Sequence, residues 1–164
     1  MAEPLPIRLA IPGSDDVGFQ GVESVSYKVY GLLHVTEGGI ALEWSGTKTT
    51  EQVTFLNVGT EIDEIPLDWL EVPAGELMGV RLVGGWWRPA VELRARYMDA
   101  FERVPSVQGV LLRLRVARRD RALAREVVME IEEMIADLQL ARHDRALLED
   151  SRSDWDALES GESR

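Results

Sequence analysis

The side chains of this sequence best suited to chemistry are arginines. Arg94 and Arg96 stand two residues apart in one apolar stretch, Arg113 and Arg115 in another, and Arg81 lies in a third. A guanidinium grips a carboxylate or phosphate through two parallel hydrogen bonds. Arginines on one face of neighbouring strands would therefore form a ladder for an anion or an acidic protein segment. The competing reading is pairing with Glu92, Glu102 or other acids of the same chain, which contributes about 0.2–1 kcal/mol per exposed pair. Trp86-Trp87-Arg88 is the second feature. Adjacent strand residues point to opposite sides, so at least one of these tryptophans is expected in the core. An exposed one beside Arg88 would be a contact anchor.

Signals for catalysis are nearly absent. His34 and His143 are the two histidines, and neither has a Glu or second His at metal-ligand spacing. There is no cysteine, so thiolate metal sites and disulfides are excluded. Gly38-Gly39 and Gly84-Gly85 read as turn glycines, not phosphate loops. The run Glu61-Ile62-Asp63-Glu64 could ligate a hard cation, although a charged strand edge, which discourages sheet-to-sheet pairing, is the favoured account. The expectation is a protein without catalytic residues, metal or cofactor.

Net charge is −11, and it is unevenly spread. Residues 37–76 hold nine carboxylates against Lys48, net −8; residues 81–119 hold nine arginines against three acids, net +6; from Asp120 onward thirteen acids face six arginines, net −7. The middle of the chain is where an acidic partner is attracted. Nucleic acid is disfavoured by the overall sign. The first residues lack a basic and an apolar signal region, and no apolar run approaches a bilayer's thickness. A cytoplasmic location is expected.

The elements that must hold these side chains follow from periodicity. Residues 109–117 alternate apolar residues with arginines, as a half-buried strand requires. The period then lengthens to that of a helix, with Leu123, Val127, Ile131, Met134, Ile135 and Leu138 at steps of three and four. Asp120 is expected to cap that helix. Earlier strands are read at 24–35, 40–44, 49–58 and 61–69, then, after a break at Val72-Pro73-Ala74-Gly75, at 77–83 and 89–98. Pro66 marks an edge or strand end. Residues 1–21 read as an arm with a short possible strand at 7–11 and a turn or mobile linker at 13–16. Residues 141–164 read as an acidic, partly disordered extension in which Ala141-Arg142-His143-Asp144-Arg145-Ala146-Leu147 nearly repeats 117–123. That repeat is either coincidental or the continuation of one long helix. The net charge of −4 from Asp144 to Arg164 would also let the tail fold back on the arginines as an internal mimic of a partner.

Four strands, a break, three strands and a C-terminal amphipathic helix resemble the pleckstrin-homology-like (PH-like) fold, including its small bacterial members. The likeness is architectural, spans roughly 22–140, and shows in the look of 65–70 and 109–138. It implies a mainly β domain, a bent orthogonal sandwich of about seven antiparallel strands in a four-plus-three arrangement, with one long helix plugging an open end. An unrelated small α+β domain is the alternative. PH-like domains that bind phosphoinositides carry basic residues around the first hairpin turn. Here that turn, 35–40, holds Glu37 and no Lys or Arg, so phosphoinositide membranes are disfavoured. The expected function is a non-catalytic protein-interaction or self-assembly module. The alternative is a binder of a small anion or acidic ligand through Arg81, Arg94, Arg96, Arg113 and Arg115, with Trp86, Trp87 and Arg88 beside them.

Overall fold

The computed structural model describes residues 3–18, 21–54, 56–105, 107 and 109–161, without the side chains of 17, 18 and 150–161. The chain forms β1 (Leu5–Leu9), β2 (Ser14–Gly18), β3 (Gly21–Thr36), β4 (Gly39–Val53), β5 (Val58–Pro73), β6 (Leu77–Val83), β7 (Ala90–Ala95), β8 (Leu111–Val116) and α1 (Arg121–Gly161). Every pairing is antiparallel, in the order β5-β4-β3-β1-β8-β7-β6, with β2 added beside β3. The architecture is mainly β with one C-terminal helix, an open sheet folded in the manner of a sandwich.

The segment read as an arm supplies the strand at the centre. Leu5, Ile7 and Leu9 alternate with Pro6 and Arg8, and the three apolar side chains are buried. On one side β1 pairs with β3, Ile7 opposite Gly31; on the other it pairs with β8, Ile7 opposite Val116. Without it the β3–β5 meander and the β6–β8 meander share no ladder. The expected turn at 13–16 likewise begins β2, whose polar Ser14-Asp15-Asp16 carries no apolar alternation to signal a strand.

The middle strands are longer than their periodicity suggests. Residues 40–44 and 49–53 belong to one strand, β4, which stays paired with β3 from Gly39 to Val53. Phe55 lies outside the described residues. Against β5 the register moves from Trp44–Asp68 to Gly46–Ile65, so β5 carries one extra residue. Pro66 sits in that bulge, where a missing N–H is tolerated. The bulge reverses the alternation, leaving Ile62 and Leu67 exposed while Ile65 and Leu70 pack on the core. In the β3–β4 hairpin, Gly39 is required by close approach: a Cβ there would lie 2.2 Å from the Val72 carbonyl oxygen.

The inner faces of both meanders meet over Val29, Leu33, Leu42, Trp44, Val91, Leu93, Leu112 and Leu114. Phe101 and Val104, in the turns after β7, are also fully buried there. The first turns of α1 complete this core with Ala124, Val127, Val128, Ile131 and Ile135, packed on β6, the 3₁₀ turn Ala74–Glu76, and the edges of β1, β3 and β4. Asp120 does not act as the cap. It ends a 3₁₀ turn in which its own N–H already bonds the Ala117 carbonyl, so it sits inside the turn rather than ahead of it. Its Oδ2 is buried without a hydrogen-bond partner.

The helix continues unbroken to Gly161, about 60 Å at 1.5 Å per residue. The repeated 141–147 segment is therefore a continuation of one helix. Past Ile135 its described side chains are exposed, and Arg142 reaches back to the Gly75 carbonyl at 3.5 Å. Among the described residues no helix is long and apolar enough to cross a membrane.

Candidate functional site

The arginines divide into paired and unpaired. Cross-strand register sets Arg81 of β6, Glu92 of β7 and Arg113 of β8 in one row. Glu92, the buried charged residue among those described, accepts from Arg81 Nε at 2.7 Å and also forms an ion pair with that guanidinium. Burying a lone carboxylate is costly, so this pair is structural. Arg81 thus follows the competing reading and leaves the candidate surface. Arg103 is likewise bonded to Asp68.

The next row is different. Arg115 of β8 stands opposite Ala90 of β7 on one side and Arg8 of β1 on the other. Two like charges directly opposite across an antiparallel pair repel. Arg8 responds by lying over the Tyr30 ring of β3, 5.6 Å from its centroid. Arg8, Arg113 and Arg115 are exposed, and no acid of the described residues pairs with any of them. Arg94 lies diagonally beside them, opposite Leu111, and is exposed too. Arg96 is exposed just past the end of β7, where its N–H bonds the Glu76 carbonyl. The outer face of β1, β7 and β8 is therefore a cationic surface centred on Arg8, Arg113 and Arg115. Strand alternation builds it, since Leu9, Leu112, Leu114 and Val116 fill the inner face.

At the end of β8 the second feature closes the surface. Gly84, at φ +79°, turns the chain between β6 and β7. A Cβ there would lie 2.1 Å from the Arg88 carbonyl oxygen. Both tryptophans of this loop are exposed, Trp86 by 58% and Trp87 by 77%. This corrects the expectation that one enters the core. Both rings instead hold Arg118, whose guanidinium carbon lies 4.5 Å from the Trp86 centroid and 4.6 Å from that of Trp87. Arg121 donates to the Gly85 carbonyl at 3.1 Å, tying the helix start to the same loop. Arg88 is exposed beside them.

Arg8 and Arg118 are the surface residues that sequence reasoning missed. The alternation Leu5-Pro6-Ile7-Arg8-Leu9 does signal an outward arginine, but Pro6 within it and Pro12 soon after discount the strand. No local pattern places Arg118 against tryptophans more than thirty residues away. The Trp–Arg contact makes its own prediction. Replacing Arg118 with Ala frees both rings without touching the core, so tryptophan emission should shift while the melting temperature changes by no more than a few degrees, about 1 kcal/mol. A melting loss far beyond that would mean the loop is part of the core.

The other candidate groups lie apart from one another. His34 Nε2 is 3.8 Å from Glu43 Oε1 and makes no hydrogen bond, and His143 is exposed on α1. Among the described residues no three His, Asp or Glu side chains converge as a metal site. The 61–64 acids lie exposed on β5, an edge strand, where Asp63 faces Lys48 at 3.8 Å. Comparison with protein-family models, curated proteins and solved structures finds no match for this chain.

Proposed function

We propose that this chain is a non-catalytic protein-interaction domain of PH-like architecture, holding an acidic protein segment against the outer face of β1, β7 and β8. The architectural part is supported by the strand order, in which β1, β3, β4 and β5 form a group of four, β6–β8 a group of three, and α1 packs across their inner faces. The functional part is carried by one observation: Arg8 and Arg115 stand opposite each other, exposed, with no acid among the described residues to relieve them. An acidic strand or helix laid there would relieve that repulsion through charge-assisted bonds. Arg118, held by Trp86 and Trp87, presents a guanidinium already ordered for binding. The same ordering suits a small anion, which makes phosphate the natural comparison.

Titration with a poly-glutamate peptide, followed by tryptophan emission, tests the proposal. Binding should weaken about tenfold or more when ionic strength rises from about 0.05 M to 0.5 M, and similarly in Arg94→Glu/Arg113→Glu. A response to inorganic phosphate alone would favour the small-anion reading. Equal binding by the wild type and the variant would remove the arginine face from the mechanism.

A further inference from the structure

Resting on the interaction reading above, we propose that the acidic segment is the outer face of α1 in a second copy of this chain, so that copies associate head to tail. Residues 126–141 carry Glu126, Glu130, Glu132, Glu133 and Asp137 and no basic residue. Glu126, Glu132, Glu133 and Asp137 are exposed, as is Met129 between them, while Val127, Val128, Ile131 and Ile135 hold the opposite side of the helix in the core. Among the described residues no cation pairs with Glu126, Glu132, Glu133 or Asp137. On β5, by contrast, Asp63 faces Lys48 and Asp68 bonds Arg103.

The two complementary faces cannot meet within one molecule. The helix packs on inner-facing side chains, whereas Arg8, Arg113 and Arg115 point from the opposite face of the same sheet. Nor does the acidic extension after Leu140 turn back toward them, because α1 runs on as helix to Gly161. The acid that meets the arginines must therefore come from outside the molecule, and a second copy carries it.

Spacing agrees with charge. Alternate residues of a strand advance by about 6.6 Å, so Arg113 and Arg115 project at that interval. Glu133 and Asp137 are four residues apart, an advance of about 6 Å along the helix, with Glu126 two turns earlier on the same face. A helix lying along β8 therefore offers a carboxylate near each guanidinium, and the Met129 side chain meets the strand between them. Because the two patches differ, the contact is heterologous and does not terminate at a dimer unless a ring closes.

Sedimentation of the whole chain tests this. Wild type should form species larger than a dimer at low salt, growing with concentration, and revert to monomer near 0.5 M salt, where screening lengths fall to about 4 Å. Arg113→Gln/Arg115→Gln and Glu126→Gln/Glu133→Gln should each be monomeric alone. Mixed, they retain one intact arginine face and one intact acidic face, and should form heterodimers that grow no further. A wild type that stays monomeric at low salt, or association that survives either double variant, overturns the inference. Poly-glutamate binding by such a monomer would leave the interaction reading standing with a different partner; no poly-glutamate binding would remove both.

Discussion

A chain shortened to begin at Gly21 fails to fold, and Ile7→Asp in the full chain fails with it. Leu5, Ile7 and Leu9 are each 5% exposed or less, and burial of such side chains contributes about 1.5–3 kcal/mol apiece. Their sum, about 5–9 kcal/mol, matches the whole stability expected of a small domain, about 5–15 kcal/mol. The loss is more than apolar area. β1 donates and accepts along both edges, so its removal strips the ladder from β3 and β8 and parts the two meanders. An aspartate at position 7 adds an unpaired charge to the same place. Ile7→Val serves as the control, since removing one methylene there costs about 0.5–1.5 kcal/mol. Far-UV circular dichroism and thermal melting decide the matter. A cooperative transition in the shortened chain within about 1 kcal/mol of the full-length value would show that β1 is an ornament of the sheet.

That prediction also marks where sequence reasoning reached its limit. The strands at 77–83 and 109–117 and the helix after them were legible from their apolar residues, whereas the strand read at 89–98 ends at Ala95, leaving Tyr97 and Met98 exposed beyond it. β1 has only five residues, one of them Pro6, too few to separate a central strand from a loose terminus. The continuity of β4 was hidden by Ser45-Gly46-Thr47, polar residues where the strand leaves the core and both its faces become accessible. Periodicity reports burial, and unburied strand has none to report. The site divides in the same way. Outward Arg94, Arg113 and Arg115 follow from alternation alone. The neutralisation of Arg81 by Glu92 requires the register of β6 on β7, and the pairing of Arg8 with Arg115 requires knowing that β1 and β8 are neighbours. Both are long-range facts that no local pattern encodes.

Replacing Arg8, Arg113 and Arg115 together with threonine should leave the fold as stable or more stable while abolishing recognition of acidic partners. The stability sign follows from register. Arg8 and Arg115 oppose one another with no described carboxylate between them, and relief of a directly opposed like-charge pair is worth about 0.2–1 kcal/mol. Threonine suits an exposed strand position, although Arg8 surrenders its contact with Tyr30, which offsets part of the gain. The binding sign is opposite. Charge-assisted hydrogen bonds contribute about 1.5–3 kcal/mol each when sheltered, and even about 1 kcal/mol each on an open surface makes three contacts worth roughly a hundredfold in affinity. Arginines retained to hold a fold lower its stability when removed, as removal of Arg81 should, because it strands the buried Glu92. Arginines retained for a partner do the reverse. Urea melts of the threonine variant and of Arg81→Thr, set beside poly-glutamate titrations of both, separate the two roles. If the threonine variant melts earlier by more than about 1 kcal/mol, or still binds poly-glutamate within threefold of wild type, the outer face of β1 and β8 is part of the scaffold and the partner docks elsewhere.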